Sequence, residues 1–282
     1  MTELVVRRLL IDLDPPFARH WHGGDAFRTA YFNALSMSFP VGEQFFIDAV
    51  RNGFKALPAD QQARFQAEVQ GFVGQEATHR RIHALFNGHL AQQGYVNRWQ
   101  ERARQRVERV MKLEARHQLA ATAAYEHFTA ILAEYTLSRP QLLEGVEPRL
   151  QTMWLWHAAE ESEHKSTAFD LYCALGGDHR WRLRWFRIAT TFFLIDSMRQ
   201  TVNNLWHDGH LLKWRTWVSG ARFLFGRDGL LRANFEPWRR YLRRDFHPAQ
   251  QHSERSARWL AEHAGQYTVV NRPAAAQPAQ AA

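Results

Sequence analysis

The chain has 282 residues, 45% of them hydrophobic and 23% charged, with a net charge of +8. This supports a packed core of one large or two modest domains and excludes a chain disordered throughout. The single cysteine, Cys173, excludes an internal disulfide and fits a reducing compartment, so a cytoplasmic location is expected.

The basic character is local. Between Arg180 and Asp245 there are fourteen Lys/Arg against five Asp/Glu, whereas the residues before 180 hold nineteen basic and twenty-one acidic side chains. Seven of the eleven tryptophans lie at or beyond Trp181. The shift near residue 178 predicts a first unit over 1–178 and a basic, Trp/Arg-rich helical extension over 179–247. A short helix and a disordered tail are expected over 248–282.

Residues 1–24 read as extended or irregular, because Asp14-Pro15-Pro16 breaks an early helix and His22-Gly23-Gly24 forms a loop. The opening MTELVVRRLLIDLDPP has no long apolar run and does not read as a secretory signal. No stretch reaches ~18 uncharged apolar residues, so no spanning helix is expected. Asp25 should cap a short helix through Ser36, and Ser38-Phe39-Pro40 should open another that stops at Leu57-Pro58, with Glu43 in its first turn. Asp60 is expected to cap the next helix, which runs to about Gln93 and ends at Gly94. At ~100° per residue, Glu76, His79 and His83 fall within roughly 60° and continue its apolar face, so they point inward.

One long helical stretch is expected from near Asn97 to before Pro140, charged in its first half and apolar around Glu126 in its second. A carboxylate inside such a run is informative, because acids are rarely buried without a partner. Another helix should run from near Pro148 to Gly176-Gly177. On it His157, Glu161 and His164 share a face of roughly 60°, with Glu160 at its edge and Glu163 pointing to solvent. Beyond Asp178, helices are expected over 181–206, 211–226 and 235–246, and the tail from Arg272 is Pro/Ala-rich. No strand alternation or Asn-Gly hairpin signal stands out, so the class is all-α.

Two stretches share one device. Glu76-x-x-His79 and Glu161-x-x-His164 each pair a carboxylate with an imidazole one helical turn away, and Glu43 and Glu126 precede them at nearly equal distances. Four carboxylates on inward faces would repel each other in an empty core, and two divalent cations would relieve that. A ferritin-like four-helix bundle with a dimetal centre is the expected arrangement, with additional C-terminal helices. Glu43 and Glu126 would be end ligands, Glu76 and Glu161 bridges, and His79 and His164 would give one nitrogen each. The donor set points to iron, with manganese and zinc as alternatives. His83 and His157 are expected to hold a ligand carboxylate rather than to be extra ligands, with core histidines bonded to backbone as the plain alternative, and Glu160 belongs with them.

The runs NALSMSFPVGEQFF, QEATHRRIHALFN and HAAEESEHKSTAFD resemble the bacterial family labelled "predicted metal-dependent hydrolase", over most of residues 1–250. The ligand pattern is also similar to the wider ferritin-like di-iron proteins, which include oxygenases, oxidases and ferroxidases. These resemblances imply a metal-dependent protein acting on a small molecule. The first expectation is an O2-activating di-iron oxidase or oxygenase on an apolar or acyl-type substrate. The alternatives are a hydrolase with an activated bridging water and a non-catalytic protein for metal storage or sensing. The Arg/Trp interleaving over 180–245 suits an anionic membrane surface, which would make the protein membrane-peripheral. A solvated basic face or a homodimer interface is the plain alternative, and nucleic acid is the least favoured partner.

Overall fold

The computed structural model describes residues 4–251 and 254–270, so the tail expected from Arg272 lies outside the described residues. The class is all-α: among the described residues ten α-helices carry the fold and the one sheet is a two-stranded ribbon.

Helix α1 (Ala26–Ala56) is capped by Asp25, whose carboxylate accepts from the Arg28 amide at 2.9 Å. The break expected at Pro40 does not occur, and the helix runs through it. Proline frees the carbonyl four residues back, here that of Ser36. Asn87 donates its Nδ2 to that oxygen at 2.9 Å, so a tertiary contact offsets what the local rule penalises. Helix α2 (Ala59–Gln92) returns along α1. Its N-cap is Pro58, and Asp60 sits inside its first turn rather than capping it.

The long stretch expected from Asn97 is two helices, α3 (Arg98–Val110) and α4 (Ala115–Leu137). The carbonyls that the break frees are taken by Gln118, whose Nε2 donates to Met111 O at 3.1 Å and Leu113 O at 2.8 Å. The next expected helix is also divided, into α5 (Pro148–His164) and α6 (Thr167–Ala174). The interruption falls directly after His164, where Lys165 bonds Gln251 O at 2.8 Å. Helices α7 (His179–His207), α8 (Trp214–Phe225), α9 (Leu230–Arg240) and α10 (Glu254–Glu262) follow.

Strands β1 (Arg7–Leu9) and β2 (Tyr267–Val269) pair antiparallel, Arg7 opposite Val269. Neither is foreseen, because three residues are too few for a period-two pattern to register. The segment leading into β1 lies close on α2 at two glycines. A Cβ at Gly71 would come within 2.4 Å of the Leu4 side chain, and one at Gly74 within 2.4 Å of Val6.

Helices α1, α2, α4 and α5 each turn a carboxylate into the interior, while α7 packs along α1, α3 and α4 and α10 lies on α5. One apolar cluster gathers Trp21, Phe32, Phe86, Trp154 and Trp156, and a second gathers Phe45, Phe72, Leu119, Phe128 and Phe186. The polar groups sit between them: the His83 ring is 5.3 Å from Trp154, and the His164 ring 4.9 Å from Phe72. Their surroundings are therefore of low dielectric, where unpaired charge is costly. Among the described residues no helix is long and apolar enough to cross a membrane.

Candidate metal centre

Six side chains from four helices meet in this interior: Glu43 from α1, Glu76 and His79 from α2, Glu126 from α4, Glu161 and His164 from α5. All are at most 3% exposed. Glu76, Glu126, Glu161 and His164 each offer a ligand atom within 4.8 Å of the others, and Glu43, Glu76 and His79 form a second such group. Glu76 belongs to both, and Glu161 also groups with His79 and His157.

A cation fits this donor set. Both carboxylate oxygens of Glu43, Glu76 and Glu126 are buried without a hydrogen-bond partner. Buried polar atoms are seldom left so, because the lost solvation is not recovered. His164 Nε2 faces Glu76 Oε1 at 3.3 Å, Glu161 Oε2 at 3.4 Å and Glu126 Oε2 at 3.5 Å. One N–H cannot serve three acceptors. Ligands held ~2.1 Å from a cation at tetrahedral angles lie ~3.4 Å apart, which is the spacing found.

Burial pushes the Glu43, Glu76 and Glu126 carboxyls well above the usual range, and the charge of Glu161 adds to it. For Glu161 burial acts the same way, but His164, His157 and His79 outweigh it and hold this carboxyl well below the usual range. Burial works against a charged His79, yet its hydrogen bonds to Glu160 and Glu161 push it up to about 10.

An outer ring of hydrogen bonds fixes which nitrogen of each histidine faces the cluster. His79 Nε2 bonds Glu160 Oε2 at 2.9 Å, which leaves Nδ1 toward the carboxylates, 3.2 Å from Glu161 Oε1. His164 Nδ1 bonds Gln75 Oε1 at 3.0 Å, and Gln75 spends its Nε2 on Val5 O and Glu163 Oε2. The amide orientation therefore makes His164 Nδ1 the donor to Gln75 and turns Nε2 toward the cluster. Arg7 closes the ring. Its guanidinium donates to Glu160 Oε1 at 3.1 Å and to both oxygens of Glu163, at 2.7 and 3.0 Å.

This ring corrects the sequence reading at Glu163, which is paired rather than solvated. Helix periodicity gives the face of α5 correctly, but not that the N-terminal segment covers it. Arg7 is missed for the same reason. No sequence signal marks it: in the run LVVRRLLI apolar and basic residues do not alternate, and only the structure shows Arg7 buried while Arg8 is exposed.

His83 and His157 extend the centre toward Pro40. Because Asn87 gives Nδ2 to the Ser36 carbonyl, its Oδ1 faces the Ser36 hydroxyl and accepts from it at 2.8 Å. Ser36 Oγ must then accept from His83 Nδ1 at 2.9 Å. His83 Nε2 in turn accepts from His157 Nδ1 at 2.6 Å. Burial holds His157 down to about 4, and its Nε2 lies 2.9 Å from Glu161 Oε1. His157 offers a ligand atom both with His79 and Glu161 and with Glu43 and His83. It belongs to two such groups and His83 to one, which favours His157 over His83 as a further ligand.

A cavity of about 330 Å³ ends on Glu43, and of the six residues Glu43 alone lines it. Its walls include Val41, Phe46, Val107, Tyr125, Phe192 and Phe193. A larger cavity of about 540 Å³, beside Glu134, Lys165 and Arg240, holds none of the six.

A family model described as "Predicted metal-dependent hydrolase" matches residues 5–252. The chain belongs to that family. No curated protein and no solved structure matches it. The matched span takes in Arg7, every residue of the cluster and the cavity that ends on Glu43. Metal dependence, the family's stated character, has its counterpart in these buried carboxylate and imidazole groups.

Proposed function

We propose that this protein is a hydrolase working through two divalent cations, held by Glu43, Glu76, His79, Glu126, Glu161 and His164 in a ferritin-like arrangement, with His157 as a further donor. The observation that carries the reading is three buried carboxylates whose six oxygens have no partner, set beside two imidazoles whose outer nitrogens are held by Glu160 and Gln75 so that the other nitrogen faces the cluster. The family's description favours hydrolysis. Bound there, the cations would supply an activated water and polarise a scissile carbonyl or phosphoryl oxygen. Glu76 and Glu161 would bridge them, and Glu43 would stand where a small-molecule substrate arrives from the cavity. Glu160, Gln75 and Arg7 keep the two ring nitrogens aimed. The apolar clusters on either side exclude bulk water, which strengthens every charge interaction inside. The carboxylate-rich set suits iron or manganese first and zinc next.

A second reading, an O2-activating di-iron oxidase, draws on the cavity. Its lining is mostly aromatic and aliphatic, which suits a substrate offering C–H bonds. The two separate cleanly. Metal content per chain is measured on protein purified without added metal. The protein loaded with zinc or manganese is then assayed without oxygen against a panel of esters, amides and phosphoesters. Turnover with a redox-inert metal supports hydrolysis. Oxygen uptake and a coloured oxidised state on Fe(II) addition, with no anaerobic turnover, would replace it with the oxidase.

A further inference from the structure

The cavity that ends on Glu43 opens between α3 and α7, and its outer wall is Trp185, Ile188 and Phe192 of α7 together with Arg106 and Arg109 of α3. We propose, on the reading above of Glu43 as a metal ligand, that this cavity takes one acyl chain of a lipid drawn from an anionic membrane surface, with α7 lying against that surface.

The outward stripe of α7 carries the argument. Arg184, Arg187, Thr191, Ile195 and Arg199 recur three or four residues apart, Phe192 lies beside them, and all six are exposed. Phe192 is 37% and Ile195 46% exposed, with Leu194 beside them at 44%. Large apolar side chains grouped in this way mark a contact surface rather than scatter. The stripe is basic at both ends and apolar in the middle. The sole acid on α7, Asp196, is buried and held by Arg102 and Arg106, so no exposed carboxylate on this helix would repel lipid phosphate. Arginine at headgroup depth with apolar groups below is the composition that interfacial helices use.

The same face continues onto α9. An apolar pocket of about 260 Å³ between α7 and α9 is lined by Leu194, Leu231 and Phe235, and Phe235 is 59% exposed. Phe128 and Phe193, stacked at 5.0 Å, line both this pocket and the cavity above Glu43, so the two depressions flank one helix. With about 330 Å³, the cavity lies at the small end of the ~300–1,000 Å³ of small-molecule sites and admits a single chain rather than a whole lipid. Its lining includes the buried carboxylate of Glu43 and, on α3, the guanidinium groups of Arg106 and Arg109. A chain entering from a bilayer would lie along this apolar lining, with its anionic headgroup left at the surface beside Arg109. At Arg106 the guanidinium already stacks over Phe192, 4.5 Å from the ring centroid.

The full, metal-loaded chain is co-sedimented with vesicles of phosphatidylcholine alone and of phosphatidylcholine mixed with phosphatidylglycerol. The mixed vesicles carry a trace of lipid with a diazirine at the chain end. Binding to the mixed vesicles alone is expected, falling with salt, and photolysis should label cavity residues such as Phe46 and Val107. Phe192→Glu with Ile195→Glu should weaken vesicle binding at least about tenfold. Arg184→Glu with Arg187→Glu asks the same question should the first pair disturb folding. Ala103→Trp, which fills the cavity, should keep vesicle binding and metal content but lose the label. Equal binding to both vesicle types, or to neither, overturns the proposal, as does labelling confined to the outer face. A dimer that the Phe192/Ile195 pair dissociates, with vesicle binding unchanged, assigns the face to a second copy instead. Cavity labelling on a protein that holds no metal would remove the hydrolase reading and leave the chain site standing.

Discussion

Replacing Glu126 with glutamine should change the stability of this protein in opposite directions with and without metal. Glu126 has no exposed surface and both of its oxygens lack a partner. It offers an atom within 4.8 Å of atoms on Glu76 and Glu161. At an effective dielectric of ~20, two ionised carboxylates at that distance repel by about 3.5 kcal/mol, and Glu126 faces two of them. The metal-free chain escapes most of this by retaining protons: burial first, and the charge of Glu161 next, push these carboxyls up. Glutamine keeps the shape and removes the charge, at a cost of ~1–3 kcal/mol for its own unpaired amide. A net gain of ~1–2 kcal/mol is expected, or about 2–8 °C in melting temperature. With metal at a thousandfold excess over Kd the native chain gains about 4 kcal/mol, and a variant lacking one donor gains less. Glu126→Gln should therefore melt above the native chain in chelator and below it in metal. Thermal melts followed by circular dichroism give the order directly. A variant less stable under both conditions, or a native chain that metal leaves unmoved, would refute the electrostatic account of this core.

The pH dependence of the metal-free protein follows from the same groups. Carboxyls and a histidine titrating above their unfolded values hold extra protons when folded, so they give stability that is lost as pH rises through their folded values. His157 and His22, held down to about 4, act oppositely but only below their unfolded value of 6.5. Lys165, lowered to about 8, contributes the other way only above that. Between pH 6.5 and 8 the melting temperature in chelator should fall, and saturating metal should flatten or reverse the slope. Arg7→Met leaves Glu160 and Glu163 buried or half-buried without their cation, and denaturant unfolding should show a loss of ~3–5 kcal/mol. Glu160→Gln should keep the native chain's metal content at saturation while lowering affinity ~10–100-fold by competition titration. His157→Ala should lower metal affinity more than His83→Ala does, and equal effects would return His157 to a supporting role.

The sequence by itself determines the six residues that meet and the faces they occupy. Glu-x-x-His on a 3.6-residue period puts both groups on one side, and an acid inside an apolar run such as LAATAAYEHF has nowhere to go but inward. It also determines the all-α class and the family, through runs such as QEATHRRIHALFN. Helix ends are decided elsewhere. Pro40 reads as a start, and only the Asn87 amide, more than forty residues away, explains why α1 continues through it. After Val110 the freed carbonyls of Met111 and Leu113 are taken by the Gln118 amide, a bond no periodicity announces. The outer ring belongs wholly to the tertiary structure. Arg7 reaches Glu160 across 153 residues of chain, on a three-residue strand too short to leave a signature. The physical reason is common to all three cases. Inward faces follow from periodicity, a property of neighbours in sequence, whereas the pairing of a freed carbonyl or a buried carboxylate depends on whatever the fold brings within 3 Å.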